Sequence, residues 1–454
     1  MKKSLIFLLA LTLLFTGCKG GSDTKTSSGE AVSASQILPE AESVIKKTID
    51  SGADEISLTS LKAFNECLEK SDKAEYSEYC ELLNDVLNTV LAYSDGGKRS
   101  DSLKSNCQKI IENDAFKINL TLTDWYMLAA ACAERYKQKD NIVLSFSGDT
   151  SFGTYKSAPE ETKFEHKIKL IDDYLNYPFK NCLAFFNSDN MTILNNEAAI
   201  STRTKMMNKE FQIKADPEFT RIYSLAGVET VNLANNHTKD CFDEGFQDTL
   251  DSLRENNINY FDDGMPFTAE IEGVEFVFLG YDMRISLESK SFKDRIVKDI
   301  KKHKSEDNIL FVNMHWGVEY REQPVAYQKD YARNFIDAGA DAVIGAHPHI
   351  MQGMETYKGK NILYSMGDFM FGGDPELLSR MTAIFRFYID RSSKEITLNV
   401  IPFYENSDGI KKDSNNYQPI PVFGEEADEV LSYLKRISNP LDGAAEEIPT
   451  DRYF

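Results

Sequence analysis

From Asn141 onward the chain alternates short apolar runs with amphipathic stretches, and that alternation restricts it to a layered α/β fold. The runs are Ile142–Phe146, Met191–Leu194, Val231–Leu233, Val274–Leu279, Ile309–Asn313, Ala342–Gly345 and Ile362–Ser365. Each is short and bounded by polar or turn residues, as a strand buried on both faces is. Helical spacing occupies Gly245–Asn256 and Tyr327–Ala338 between them. Met381–Tyr388 and Ile396–Phe403 have no helix between them, which predicts an antiparallel pair.

The carboxyl ends of these strands carry the chemistry, as is usual for ligand sites in α/β sheets. They present Asp149, then Asn195, Asn196 and Glu197, then Asn235, Asn236 and His237, then His315, then His347 and His349. A single histidine in such a place is more often structural than functional. Here four of the chain's six histidines fall at strand ends, with His166 and His303 the exceptions, and that clustering points to one shared site. Carboxylate and amide oxygens suit hard divalent cations, whereas imidazole suits zinc, iron and manganese. The mixed set therefore predicts one or two divalent metal ions (Mn, Fe or Zn). Two such ions about 4 Å apart can clamp a phosphoryl group and activate water.

Ser145–Gly153 resembles the opening Gly-Asp motif of the CapA-like family of poly-γ-glutamate capsule synthesis proteins. Asn195-Asn196-Glu197 resembles the family's Asn-Leu-Glu, with Asn196 in place of Leu. Val231–Asp240 matches its N-N-H-x-x-D motif and His315–Tyr320 its H-W-G-x-E-Y motif. The longest match runs from Ala338 to Gly372, through Gly345–His349 and Tyr364–Phe369, with Asp368 where members usually carry Asn. Together these matches cover roughly residues 140–405.

The family is similar in fold to calcineurin-like metallophosphoesterases, so the resemblance implies a layered β-sandwich flanked by helices. It also implies roles. Asp149 and His349 would hold one metal, Glu197 would bridge, and Asn236, His315 and His347 would hold the second. His237 would act as general acid and Asp240 would orient it. Asn196, Asn235, Trp316, Glu319 and Asp368 are placed at the pocket, with packing an equal reading for Trp316 and turn capping for Asp368. One departure matters. True metallophosphoesterases open with D-x-H, whereas Thr150-Ser151 follows Asp149, which removes an imidazole and leaves a mononuclear or inactive centre open.

The N-terminus predicts where the domain works. Met-Lys-Lys, an apolar run from Leu5 to Phe15 and Thr16-Gly17-Cys18 form an export leader with a lipobox-like cleavage point. Leu5–Phe15 is well short of the ~20 residues a spanning helix needs. Residues 1–17 therefore read as a lipoprotein signal peptide, Cys18 as the lipidated residue and 18–35 as a Gly/Ser-rich tether. The expected location is the extracytoplasmic face of the cell membrane, at the outer surface or in the periplasm. Residues 36–138 show helical spacing with no histidine and no phosphate-binding loop, which predicts an all-α domain. The metallophosphoesterase-like domain is expected over 139–405, and 406–454 as a C-terminal extension packing on the core.

The formal charge is −21, and loss of the leader's two lysines takes it to −23. Such a balance argues against nucleic acid as a partner. Cys18 apart, six cysteines remain, and in an exported chain an even number permits disulfides. None has close C-x-x-C spacing, so buried or bridged thiols are expected rather than metal ligands.

Two functions compete. The first is a membrane-anchored, metal-dependent hydrolase or phosphoesterase acting on a cell-envelope or capsular polymer in poly-γ-glutamate synthesis or export. The second is a non-catalytic polymer-binding or scaffold component of a membrane synthase complex.

Overall fold

A computed structural model describes residues 141–450, apart from 187–188, 285–289, 374–378, 408–414, 423 and 446. The leader, Cys18, the tether, the helical segment 36–138 and Cys67, Cys80, Cys107 and Cys132 lie outside the described residues.

In chain order the strands are β1 (Asn141–Ser151), β2 (Met191–Asn196), β3 (Ala199–Ile200), β4 (Lys214–Ala215), β5 (Thr230–Asn232), β6 (Asn259–Phe261), β7 (Phe267–Ile271) and β8 (Val274–Arg284). They continue as β9 (Asn308–Gly317), β10 (Ala342–Ala346), β11 (Met354–Tyr357), β12 (Lys360–Leu363), β13 (Asp368–Phe371), β14 (Met381–Asp390), β15 (Ile396–Tyr404) and β16 (Ile420–Pro421). The longer helices are α1 (Phe242–Glu255), α2 (Lys290–His303), α3 (Ala326–Ala338) and α4 (Gly424–Ser438).

Two sheets dominate. The first has the order β16-β15-β14-β1-β2-β5-β6, with β13 also pairing to β1, and the second has the order β11-β12-β10-β9-β8-β7. Strands β1, β2, β5 and β6 are mutually parallel, as are β8, β9, β10 and β12. Strands β14 and β15 form the expected antiparallel pair, in register from Met381 opposite Tyr404 to Ile389 opposite Ile396.

Period-two alternation explains how the layers stack. On β1, Ile142, Leu144 and Phe146 enter a core shared with Phe276 and Phe278 of β8, Ile309 and Phe311 of β9, and Phe385 and Phe387 of β14. Phe146 lies 5.1 Å from Phe311 and 5.4 Å from Phe387, centroid to centroid. These rings join residues of both sheets, which makes the domain a β-sandwich. Each buried ring contributes about 1.5–3 kcal/mol, with about 0.5–1.5 more from aromatic pairing.

The intervening residues of β9, Leu310, Val312, Met314 and Trp316, face a second core with Ile296 and Ile300 of α2 and Tyr331, Ala332 and Phe335 of α3. Strand β9 is thus buried on both faces, which is why it reads as a continuous apolar run. From the C-terminal extension, Ala427, Val430, Leu434 and Ile437 of α4, spaced three and four apart, join the inter-sheet core. Among the described residues no helix is long and apolar enough to cross a membrane.

Candidate metal centre

Strand β1 delivers Asp149 through a close backbone approach. A Cβ at Gly148 would lie 1.8 Å from the Gly367 carbonyl, so only glycine lets the turn before β13 cross there. The Asp149 amide then donates to Gly367 O at 2.9 Å. Gly345 in β10 meets the same limit, since a Cβ there would lie 2.0 Å from Tyr364 O. Asp149 is fully buried, accepting from Asn195 Nδ2 at 2.6 Å and from the His347 amide at 3.1 Å. Burial, and then the negative charge of Glu197, pushes its carboxyl up to about 8.

At the end of β2 the alternation separates three polar neighbours. Asn195 turns toward the site, contacting Asp149 and lying 3.4 Å from His315 Nδ1, while its Oδ1 accepts from Asn232 Nδ2 at 2.9 Å. Asn196 turns away: its Nδ2 donates to Ala198 O and its Oδ1 accepts from the Tyr223 hydroxyl. Glu197 follows, its amide donating to Thr150 O at 2.8 Å and its side chain wholly buried. Neither carboxylate oxygen of Glu197 accepts a hydrogen bond, and burial pushes the group up to about 7. A buried carboxylate without donors is costly, and a bound cation is the natural way to satisfy it.

The Asn-Asn-His turn after β5 is built by its first residue. Asn235 Oδ1 accepts from the His237 amide, the Thr238 amide and the Thr238 hydroxyl, while Nδ2 donates to Asn196 O at 2.7 Å. That cage presents Asn236 Oδ1 2.6 Å from His315 Nε2. It also sets His237 Nδ1 2.9 Å from Asp240 Oδ2, a carboxylate oxygen that accepts from the Ile213 amide at 2.7 Å. Lys209 closes the group, its Nζ lying 2.5 Å from Asp240 Oδ1, 3.1 Å from His237 Nδ1 and 2.7 Å from Asn236 O.

His347 and His349 follow β10 with φ of +96° and +57°. Non-glycine residues adopt that region at a cost of order 1–3 kcal/mol, and such outliers concentrate at functional sites. The His315 and His347 rings are 4.7 Å apart. His349 Nδ1 lies 2.8 Å from Asp368 Oδ1 and 3.7 Å from Asp149 Oδ2. Burial lowers the affinity of His349 for its proton, but Asp368 and Glu197 together outweigh it and hold the imidazole well above its ordinary value. The Tyr320 ring, about half exposed, stands 6.0 Å from His349, and its amide donates to Pro348 O.

The structure thus gathers Asp149, Glu197, Asn236, His315, His347 and His349 in one place, with His237 and Asp240 beside them. Three overlapping triads could each hold a metal ion, their ligand atoms within 4.8 Å of one another: Glu197-His347-His349, Asp149-Glu197-His315 and Asp149-His349-Asp368. The oxygen and imidazole donors and the unsatisfied Glu197 fit a divalent ion.

The structure refines four expectations. Trp316 is not a pocket residue: it is fully buried against Phe335 and Tyr364, and its Nε1 donates to Tyr364 O at 2.9 Å. Its neighbour His315 faces the site, so alternation sends Trp316 to the helix side. Asn196 and Asn235 shape the backbone behind the site rather than lining it. Glu319 is exposed on the loop after β9, and its charge helps to raise the Glu197 carboxyl. His315 lies within β9 and not beyond its end, since the strand runs on to Gly317.

Asn195, Asn232 and Lys209 had no assigned role. Asn195 stands among the strand-end groups named above and Asn232 could have been found in the same way, whereas Lys209 sits in an irregular loop without a motif. Ser151, where an imidazole would complete D-x-H, donates its hydroxyl to Gly153 O at 2.8 Å. Cys182 and Cys241 are buried free thiols.

Residues 143–373 match the family described as bacterial capsule synthesis protein PGA_cap. The chain is 25% identical over 279 residues to the capsule biosynthesis protein CapA of Bacillus anthracis, covering 56% of this chain and 65% of that protein. It is 26% identical over 263 residues to the PGA biosynthesis protein CapA of Bacillus subtilis (strain 168), covering 51% and 64%. A probable polyglutamine synthesis accessory protein of Mycobacterium tuberculosis (strain CDC 1551 / Oshkosh) is 24% identical over 261 residues, covering 47% and 68%. The chain therefore spans just under two thirds of the length of the two Bacillus relatives.

Proposed function

Because the chain belongs to the bacterial capsule synthesis protein family PGA_cap, we propose that it is a metal-dependent, phosphoesterase-like hydrolase acting on a capsular or cell-envelope polymer. The single observation that carries this reading is Glu197, a fully buried carboxylate with no hydrogen-bond donor, set among three histidines and Asp149. Asp149, Glu197, Asn236, His315, His347 and His349 would hold one or two divalent ions. When bound, these would supply Lewis-acid polarisation of the scissile group and a lowered water pKa.

The chain's own residues supply the proton. Asp240, fixed by the Ile213 amide and Lys209, holds His237 by Nδ1. The Nε2 side is then left to protonate the leaving oxygen. With Mn²⁺ and a generic phosphodiester or monoester, His237→Ala is expected to lower kcat about 10²-fold, and Asp240→Asn about tenfold, with metal content unchanged. A His237→Ala enzyme as fast as the parent would remove His237 from the reaction.

The scaffold reading draws support from Ser151, whose hydroxyl is spent within its own loop. Absence of any turnover in a chain that retains bound metal and binds an anionic polymer would favour it.

The protein is further proposed to work at the extracytoplasmic face of the membrane, at the outer surface or in the periplasm, held by lipid on Cys18, with capsular polymer and a synthase complex as partners. Cys18 directly follows Gly17 and the apolar leader. A Cys18→Ser chain is expected to move from the membrane fraction to the soluble fraction. Full membrane retention would contradict the anchor.

A further inference from the structure

We propose that Asp368 is a direct metal ligand, making one of the two positions oxygen-rich and giving the two positions different metal preferences. This rests on the reading of the site as a metal centre. Asp368 opens β13, which pairs in parallel with β1, and its cross-strand partner is Asp149. The Asp149 amide bonds to Gly367 O, so the two backbones are clamped one residue before Asp368. The carboxylates of Asp149 and Asp368 therefore reach the same pocket from adjacent strands.

His349 decides between two roles for Asp368. A carboxylate that merely orients a metal-bound imidazole takes the ring nitrogen facing away from the metal. Here one nitrogen, Nδ1, faces both carboxylates, at 2.8 Å from Asp368 Oδ1 and 3.7 Å from Asp149 Oδ2. The ligand atoms of the three residues lie within 4.8 Å of one another, close to the span across one ion with bonds of about 2.0–2.2 Å. A separate observation also calls for a cation here. The unsatisfied Glu197 carboxylate shares a second such triad with His347 and His349.

Two carboxylates and one imidazole favour a harder ion such as Mn²⁺. The neighbouring set of His315, His347 and Asn236 is richer in imidazole and accepts zinc more readily.

The test is Mn²⁺ and Zn²⁺ titration of the chelator-stripped full chain by calorimetry, with Mn²⁺ electron paramagnetic resonance, for the parent, Asp368→Asn and Asp368→Ala. Asn keeps an acceptor for His349 but loses the anionic charge. Asp368→Asn is expected to weaken one Mn²⁺ equivalent by more than about 100-fold, beyond the roughly 10–100-fold that loss of an orienting partner alone costs, to leave the other unchanged and to affect zinc less. If Asp368→Asn binds Mn²⁺ like the parent or loses about 100-fold or less, Asp368 at most orients His349 and the inference is overturned, whatever Asp368→Ala does. A parent chain that takes up neither ion overturns the metal reading itself, a failure visible before any variant is made.

Discussion

A chain carrying both Asp149→Ala and His349→Ala is expected to hydrolyse no phosphoester above background and to lose tight binding of at least one Mn²⁺. Both side chains belong to the Asp149-His349-Asp368 triad, and each also enters a triad with Glu197. Their removal would strip the proposed metal position they share and take one donor from each triad that contains Glu197. Electrostatic stabilisation by such an ion is worth several kcal/mol, so the loss in kcat/KM should be on the order of 10³-fold or more. The fold should survive, because neither residue belongs to the inter-sheet core of Phe146, Phe278, Phe311 and Phe387. Near-ultraviolet circular dichroism checks that point. Undiminished turnover in the double variant would mean that the reaction, if any, occurs elsewhere.

The metal-free chain should lose stability as pH rises from about 4 to above 8. Asp149 is raised from 3.8 to about 8 and Glu197 from 4.5 to about 7, in both cases chiefly by burial. A carboxyl that holds its proton more tightly when folded contributes stability that is complete below its unfolded pKa. That contribution is lost as pH climbs through the folded value. His349, held above its ordinary value, acts in the same direction. Holding a proton tenfold more tightly in the folded chain is worth about 1.4 kcal/mol, so several kcal/mol are at stake across this window.

In a domain of this size that corresponds to a fall in Tm on the order of 10 °C between pH 5 and pH 9 in the presence of chelator. Mn²⁺ added at pH 8 should restore most of it, because the ion takes the place of the protons, and binding should release protons to the buffer. Asp149→Asn should flatten the metal-free profile. A Tm that is constant or rises from pH 5 to pH 8 would contradict the proposed burial of these carboxylates.

Much of the site was legible along the chain because parallel strands in a layered sheet deliver their carboxyl ends to one edge. Asp149, Glu197, Asn236, His237, His315, His347 and His349 each follow or finish an apolar run, and no long-range information was needed to suspect a common destination. Trp316 was also legible, since it directly follows His315 and a strand sends neighbours to opposite faces. Taking the strand to end at Asn313 hid that alternation. A polar His315 inside a doubly buried strand is tolerated where site residues such as Asn236 and Glu197 meet it.

The sequence by itself determined the layered class, the strand order of the polar groups and the pairing of β14 with β15, because hydrophobic period and loop length are local properties. Only tertiary structure decided that Lys209 reaches Asp240, that Asn195 joins Asp149 to Asn232, and that Asp368 stands opposite Asp149. Those contacts join residues far apart in the chain, up to 219 positions for Asp149 and Asp368. Their register is set by sheet pairing and by the close approach at Gly148, which no local pattern encodes.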